Sequence, residues 1–316
     1  MYILPPDSNT EVQSAAPATE NTSLQPLLLT GANGTLGQAF QHICAIRGLH
    51  VVALGRAELD IADPVSVEVA LSRYQPWAVI NAAGYVRVDE AEADFARCYR
   101  ENTTGPAVLA AACAGRQLPL LTFSSDLVFD GLQTVAYTES SEPRPLNVYG
   151  NSKRLAEREV LAAWPRALVV RTSAFFGPWD QYNFVHQVLA AARAGEPFEA
   201  ISDAVVSPTY VPDLVNTALD LLIDEEQGIW HLANEGACTW AELAGQVARM
   251  AGLDPGFIVP RPLESFRLAA PRPLYSALAS EHGALLPSVE SGLERYLTEV
   301  GPVATAPAPE IIAAAS

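Results

Sequence analysis

The fold of this 316-residue chain is decided by the stretch Pro26-Leu27-Leu28-Leu29-Thr30-Gly31-Ala32-Asn33-Gly34-Thr35-Leu36-Gly37. Its apolar first half predicts a short parallel strand that is buried on both faces. The glycines that follow, at spacings of three, allow a tight turn and a close approach of the backbone to a phosphate, and a helix is predicted from there to about Gly48. Because a helix N-terminus offers free N–H groups, the stretch predicts a dinucleotide-phosphate loop between the first strand and the first helix.

Strand and helix patterns alternate over the following 130 residues. Further strands are predicted at Val51–Leu54, Trp77–Ile80, Leu118–Phe123 and Ala167–Arg171, with a helix capped by Asp63-Pro64 and another from about Pro106 to Gly115 between them. Such alternation predicts an α/β fold with a doubly wound parallel sheet. After residue 172 the pattern loosens, with helices expected near 182–194, 212–223 and 240–251.

The chain divides by composition into four parts. Residues 1–24 are rich in Ser, Thr, Asn, Pro and Glu, which predicts a disordered tail or linker and suggests a fused or partner domain at that end. We expect 25–172 to bind the dinucleotide. Residues 173–302 are expected to be mainly substrate-binding, with elements that return to the first unit, and the Ala- and Pro-rich residues 303–316 to be frayed.

Net charge and hydropathy exclude several classes of protein. A formal charge of −17 argues against nucleic-acid and anionic-membrane binding, both of which need a basic surface. No apolar run reaches transmembrane length, and the first 24 residues lack the charged and apolar parts of a signal peptide. We therefore expect a cytoplasmic protein, with a homodimer as an expectation that the sequence itself does not show.

Cysteine and histidine spacing predicts no metal site. The four cysteines, Cys44, Cys98, Cys113 and Cys238, have no CxxC spacing, so we expect free and mostly buried thiols. The five histidines are scattered without the spacing of metal ligands.

A tyrosine and a lysine four residues apart point to proton chemistry. Lys153 is the only lysine among 19 basic residues, and it follows Tyr149 in Asn147-Val148-Tyr149-Gly150-Asn151-Ser152-Lys153. On a helix the two side chains share one face. Because a nearby positive charge favours a phenolate, we expect the pKa of Tyr149 to lie below its ordinary value of about 10.

Polar and small residues end the predicted strands where ligands bind in such sheets. Asn81-Ala82-Ala83-Gly84 follows the third strand and Ser124-Ser125 the fourth, where a serine hydroxyl can contact a substrate carbonyl. Arg56 stands at the end of the second strand, where an arginine accepts the 2′-phosphate of NADP and an acid would bind the 2′-hydroxyl of NAD. We predict NADP, with NAD as the alternative.

Together these motifs resemble the extended short-chain dehydrogenase/reductases, over about Leu27 to Leu297. Within them the chain is most similar to the dTDP-4-dehydrorhamnose reductases. The matching pieces are Asn81–Gly84 with Val88–Glu92, Ser124–Phe129, Pro145–Gly150, Arg171–Ser173, Ser207–Thr209 and Arg272-Pro273. The resemblance implies a Rossmann-like fold and a role in deoxysugar or polysaccharide synthesis.

The resemblance also implies a reaction, in which NADPH reduces the 4-keto group of a nucleotide-linked 6-deoxy sugar. Tyr149 would protonate the forming alkoxide, Lys153 would hold the nicotinamide ribose and lower the pKa of the tyrosine, and Ser125 would orient the carbonyl. Predicted cofactor contacts are Gly31, Asn33, Gly34, Thr35, Leu36, Gly37, Arg56, Asp60, Ile61, Asn81, Ala82, Ala83, Gly84, Asn102, Ser124, Tyr149, Lys153 and Thr172. Predicted substrate contacts are Tyr85, Arg87, Ser125, Asp126, Asn183 and Arg272.

Two positions depart from the family pattern. Leu127 stands where the family has tyrosine, and Ala174 where it has tryptophan. Losing both aromatics removes stacking surface and hydrogen-bond partners from the sugar pocket. Two alternatives therefore stay open: a dinucleotide- or sugar-nucleotide-binding regulatory module without turnover, and a sugar-nucleotide epimerase that keeps its cofactor bound.

Overall fold

The computed structural model of the protein describes residues 25–301, so the predicted tails at 1–24 and 303–316 lie outside the described residues. The strands are β1 (Leu27–Thr30), β2 (Val51–Leu54), β3 (Ala78–Asn81), β4 (Leu120–Phe123), β5 (Leu168–Arg171), β6 (Phe175–Phe176), β7 (Phe198–Ile201), β8 (Val205–Val206), β9 (Thr209–Tyr210), β10 (Gly228–His231), β11 (Cys238–Thr239) and β12 (Ile258–Arg261). The helices are α1 (Thr35–Ile46), α2 (Pro64–Tyr74), α3 (Phe95–Tyr99), α4 (Gly105–Arg116), α5 (Val148–Ala163), α6 (Phe184–Ala194), α7 (Val211–Ile223), α8 (Trp240–Met250) and α9 (Val289–Val300).

Six parallel strands form the central sheet, in the order β10-β5-β4-β3-β1-β2. The predicted doubly wound sheet is confirmed, and the first five strands lie within one or two residues of their predicted positions. The sixth, β10, was not placed from the sequence, because only two of its four residues, Ile229 and Trp230, are apolar. Since β1 pairs with β2 on one side and β3 on the other, the crevice at their carboxyl ends is the expected ligand site.

Helices cover both faces of the sheet, as the buried strands require. Leu27 and Leu29 of β1 pack on one side with α1 and α7, whereas Leu28 packs on the other with α2, α4 and α5. The side of each leucine follows from the two-residue period of a strand. The predicted cap of α2 is confirmed, since the Asp63 side chain accepts a hydrogen bond from the Val65 amide.

A separate apolar core lies beside the carboxyl edge of the sheet. Helices α6, α8 and α9 pack there around Phe176, Tyr210 and Leu243. Three two-stranded sheets frame this core: β7 with β12, β6 with β9, and the antiparallel pair β8 with β11. The helices expected near 182–194, 212–223 and 240–251 are α6, α7 and α8, while α3 and α9 were not anticipated.

A buried ion pair fixes α5 against the sheet. The Arg171 guanidinium on β5 donates two hydrogen bonds to the Glu157 carboxylate on α5, at 2.8 and 2.7 Å. Their side chains are 1% and 5% exposed. Ser124, just after β4, donates to the same carboxylate at 2.5 Å. Because buried charges need such partners, the three groups define how α5 sits over β4 and β5.

We expect Arg171→Leu to lower the free energy of unfolding by about 3–5 kcal/mol, because it leaves the Glu157 carboxylate buried without its cation. Urea denaturation measures this change. The matched control is Arg158→Leu. The Arg158 guanidinium pairs with Glu159 on the surface of α5, so its loss should lower the free energy of unfolding by less than about 1 kcal/mol. If both substitutions lower the free energy of unfolding by the same small amount, the buried pair does not fix α5 against the sheet.

Candidate active site

Two cavities open at the carboxyl edge of the central sheet. The larger, of about 530 Å³, lies over the glycine loop and the end of β2, and the other, of about 470 Å³, lies between the ends of β4 and β5 and the apolar C-terminal portion. Both are lined by Leu36, Ala82, Ala83, Gly84, Val86 and Phe175, so they meet at the residues after β3. We call the first the cofactor cavity and the second the reaction cavity.

The glycine loop has the close contacts that a phosphate-binding turn requires. Gly31 has a φ of +72°, and a Cβ there would lie 2.6 Å from the Ala82 backbone. A Cβ on Gly37 would lie 2.1 Å from the Gly31 oxygen, so this glycine serves the packing of α1 on the loop and does not line either cavity. Gly34 is the N-cap of α1 and makes no side-chain cap, which leaves first-turn amides available to an anion.

The part of the cofactor cavity near the end of β2 is lined both by residues that the sequence predicted and by residues that it did not. Asn33, Thr35, Arg56, Asp60 and Ile61 line it as expected. Arg100 and Glu101, from a π-helical turn between α3 and α4, were missed because their side chains reach the cavity only through tertiary packing.

The charges at this end are paired. Arg56 is half-exposed and contacts Glu101 at 2.5 Å, and Arg100 contacts Asp60 at 2.6 Å. Burial works against ionisation of Glu101, but hydrogen bonds from Arg97 and Arg56 keep its pKa below the ordinary value. Two guanidinium groups thus line the β2 end of this cavity, each paired with a carboxylate.

The start of α5 brings the tyrosine to the serine. Asn147 caps the helix by accepting from the Gly150 amide at 2.7 Å. A Cβ on Gly150 would lie 2.1 Å from the Leu127 carbonyl oxygen, so only glycine allows α5 to approach the 3-10 turn Asp126–Val128 this closely. As a result Tyr149, Ser125 and Lys153 line the reaction cavity together.

Lys153 is 9% exposed, and its Nζ donates to the Phe123 carbonyl at 3.1 Å. Burial lowers the pKa of its ammonium to about 8, a shift that Cys98 and Glu157 partly oppose. The Nζ lies 5.8 Å from the centre of the Tyr149 ring. The lysine is therefore close enough to share a ligand with the tyrosine.

The expected lowering of the Tyr149 pKa is wrong. Burial raises this pKa above its ordinary value of about 10, and the Ser125 hydroxyl works against the rise. The sequence could not reveal this, because burial of the phenol comes from tertiary packing. Tyr149 is thus held firmly in its protonated form, the form that can donate a proton.

Asp126 lies at the base of the reaction cavity and is 6% exposed. Its carboxyl group contacts Ser125 Oγ at 3.0 Å and Ser276 Oγ at 2.6 Å. The Ser276 contact spans 150 residues, and the sequence offered no signal for it.

Five predicted contacts do not line either cavity. Besides Gly37, they are Tyr85, Arg87, Asn102 and Asn183. Asn102 is fully buried and bonds to both backbone groups of Tyr85 and to Ser152, so it braces the strand end against α5. Arg87 is largely exposed and pairs with Glu90.

Asn183 acts as a helix cap. Its side chain accepts from the His186 amide at the start of α6 and donates to the Gly177 carbonyl at 3.1 Å. The amide is therefore committed to local structure. The prediction of substrate contact for this residue did not anticipate that role.

Arg272 does line the reaction cavity, where its guanidinium is held by Asp89 at 2.7 Å. Asp89 and Glu92 both have long-range contacts. Glu92 accepts from the Val148 amide and so helps to cap α5. The sequence spacing gave no sign of either contact.

The positions that depart from the family pattern both line the reaction cavity, and Ala174 has a φ of +42°. Leu127 and Ala174 are joined there by apolar side chains that the sequence analysis missed, namely Ile201, Val206, Trp240, Leu263 and Leu268. Thr172, at the end of β5, also lines this cavity, and its buried hydroxyl has no hydrogen-bond partner among residues 25–301.

The described residues offer neither a candidate metal site nor a membrane-spanning helix. Within residues 25–301 no cluster of three His, Cys, Asp or Glu side chains could hold a metal ion. The four cysteines are free, as predicted, and three are buried. No helix in this range is both long and apolar enough to cross a membrane.

Comparison with known proteins places this geometry in a family. Residues 25–300 match the model of the RmlD substrate binding domain. The chain is 34% identical over 257 residues to a dTDP-4-keto-6-deoxy-D-glucose reductase of Streptomyces niveus, covering 80% of this chain and 88% of the relative. It is 37% identical over 259 residues to a dTDP-4-dehydrorhamnose reductase of Streptomyces griseus, covering 79% and 84%.

Solved structures agree. A dTDP-4-dehydrorhamnose reductase of Bacillus anthracis in complex with NADP superposes with a TM-score of 0.82 at 30% identity, covering 87% of this chain and 99% of that one. A UDP-glucose 4-epimerase of Thermus thermophilus, at 21% identity and a TM-score of 0.72, shares the fold alone. By sequence and structure alike, this chain belongs to the RmlD substrate binding domain family.

Proposed function

We propose that this chain is an NADPH-dependent reductase of the 4-keto group of a nucleotide-linked 6-deoxy sugar. The observation that carries the proposal is the convergence of Ser125, Tyr149 and Lys153 in one cavity that adjoins the cavity over the glycine loop. The names of the relatives, and the NADP in the Bacillus anthracis structure, support the same reaction. The product would serve deoxysugar or polysaccharide synthesis.

The residues lining the cofactor cavity offer partners for the phosphates of NADP. The pyrophosphate would bind at Gly31, Gly34 and the first turn of α1. The 2′-phosphate would bind between Arg56 and Arg100. The unpartnered Thr172 hydroxyl and the Lys153 ammonium would meet the nicotinamide end, where the two cavities join. When bound, NADPH supplies the hydride.

Proton transfer falls to the residues of the reaction cavity. In this proposal the Tyr149 hydroxyl gives its proton to the oxygen of the 4-keto carbon as that carbon is reduced. Its raised pKa keeps the phenol protonated, and an alkoxide is a still stronger base that can take the proton. Ser125 would hold the carbonyl by a hydrogen bond, and Lys153 would hold the nicotinamide ribose.

The substrate would span the reaction cavity. Its sugar would lie against the apolar wall that contains Leu127, Ala174 and Trp240, and Arg272 would face its phosphates. Predicted contacts at Arg87 and Asn183 are not carried into this proposal, since both lie outside the cavity lining. We also propose that residues 25–172 form the dinucleotide-binding unit and 173–302 mainly the substrate-binding portion.

One observation favours a second candidate, a binding or regulatory module without turnover. Leu127 and Ala174 provide neither stacking nor a hydrogen bond to a sugar. Retention of Ser125, Tyr149 and Lys153 in a shared cavity favours the reductase. A homodimer and a domain fused or bound at the N-terminus stay predictions, which sedimentation of the full chain would test.

We expect Tyr149→Phe to lower kcat for NADPH oxidation with a dTDP-4-keto-6-deoxy sugar by about 10²- to 10⁴-fold, because the hydroxyl that gives its proton to the alkoxide is lost. Absorbance of NADPH measures the rate, and calorimetry should show unchanged NADPH affinity. The matched control is Tyr182→Phe, at a largely exposed tyrosine outside both cavities, which should leave kcat unaltered.

Failure of this proposal takes two recognisable forms. Tight NADPH binding without turnover by the unaltered protein would favour the binding module. Cofactor that stays bound through purification, with no net NADPH consumption, would favour the epimerase.

We expect Arg56→Ala to weaken NADPH binding by about 10- to 100-fold, the worth of a hydrogen bond to a charged group, and NADH binding by less than about threefold. Calorimetric titration with each dinucleotide measures the two affinities. Arg158→Ala, at an exposed arginine on α5, is the matched control and should change neither. Equal losses for NADPH and NADH would show that Arg56 does not read the 2′-phosphate.

A further inference from the structure

The hydrogen bonds around Ser125 leave it too few protons for the role just proposed. Its Oγ accepts a hydrogen bond from the Leu127 amide at 3.1 Å and lies 3.0 Å from an oxygen of Asp126. A hydroxyl carries one proton and two acceptor positions. If Asp126 is a carboxylate, which only accepts, that single proton points at Asp126 and none is left for a substrate carbonyl.

A neutral Asp126 reverses the direction of this bond. Its own O–H then donates to Ser125 Oγ, which also accepts from the Leu127 amide, and the serine proton is released toward the cavity. The 3.0 Å separation suits either direction. Ser276 Oγ, at 2.6 Å, donates to the other carboxyl oxygen and so leaves the proton on the oxygen that faces Ser125.

The surroundings of Asp126 favour the neutral form. Its side chain is buried, and desolvation raises its pKa above the ordinary range, although the serine hydroxyls that donate to it work against that shift. The other titratable groups lining this cavity are Tyr149, Lys153 and Arg272. Lys153 donates to the Phe123 carbonyl and Arg272 pairs with Asp89, so both cations are engaged elsewhere.

We propose that Asp126 is a neutral positioning residue, whose O–H donates to Ser125 and thereby turns the Ser125 proton onto the substrate carbonyl. This inference rests on the proposed reductase function. Asp126 keeps its proton throughout, since Tyr149 supplies the one that the alkoxide gains. A neutral Asp126 also removes the negative charge that would oppose both the alkoxide and the phenolate. The sequence-based prediction of direct substrate contact by Asp126 is replaced here by action through Ser125.

Asparagine is the variant that separates the two protonation states. Its amide N–H can donate to Ser125 and its amide oxygen can accept from Ser276, as the neutral acid does. We expect Asp126→Ala to lower kcat by about 10- to 100-fold through the loss of this hydrogen bond, and Asp126→Asn to restore most of that loss.

The dependence of kcat on pH also tests the inference, because a purely structural role of Asp126 would leave the shape of that profile unchanged. The Lys153 ammonium and Tyr149 also titrate on the alkaline side, so the two kcat profiles are compared with each other. In the unaltered protein, kcat should begin to fall at a lower pH than in Asp126→Asn, because Asp126 loses its proton first. The fall of kcat that Asp126→Asn still shows at alkaline pH is due to Lys153 and Tyr149. Turnover by the unaltered protein with an Asp126→Asn loss as deep as that of Asp126→Ala would overturn the inference and leave the reductase function standing.

Thermal melts test the protonation state without any turnover. A carboxyl whose pKa is raised on folding contributes stability below its unfolded pKa, and this contribution is lost as pH rises through the folded pKa. The Tm of Asp126→Asn minus that of the unaltered protein should therefore increase between about pH 4 and about pH 8. A difference that stays flat or decreases would show an ordinary carboxylate and overturn the inference, even if the reductase function itself failed.

Discussion

The placement of one helix depends on the buried ion pair between Glu157 and Arg171. Tyr149, Lys153 and Glu157 follow one another at four-residue intervals along α5 and therefore share its inner face. Arg171 holds that face against β5, and Ser124 ties the same carboxylate to the end of β4. Because a buried ion pair is costly to break, the pair fixes α5 and thereby holds the Tyr149 phenol and the Lys153 ammonium at the reaction cavity.

Much of the fold could be predicted from the sequence because its signals are local. Buried parallel strands such as β1 are short apolar runs, and the glycine spacing before α1 reflects backbone contacts that no larger residue permits. Elements whose character comes from their neighbours were missed. The edge strand β10 has only two apolar residues, Ile229 and Trp230. The helix α9 was missed although Ser288, an ordinary N-cap residue, accepts from the Ser291 amide at its start.

The residues that meet in the reaction cavity could be predicted from the sequence, whereas their electrostatics could not. Ser125, Tyr149 and Lys153 stand at strand ends and at helical spacing, which sequence displays directly. The direction of the Tyr149 pKa shift depends on burial, and one hydrogen-bond partner of Asp126 is Ser276, 150 residues away. Likewise, Asn183 and Arg87 were assigned to substrate by resemblance, whereas local capping and a surface ion pair occupy them.

The most direct test of the account is the transfer of deuterium from NADPH labelled at the nicotinamide C4 to the sugar. Incubation with a dTDP-4-keto-6-deoxy sugar, followed by mass spectrometry and NMR, locates the label. The account predicts one deuterium at C4 of the product and one oxidised NADP for each. Unlabelled sugar, recovered with intact NADPH or as an epimer without net oxidation, would contradict it.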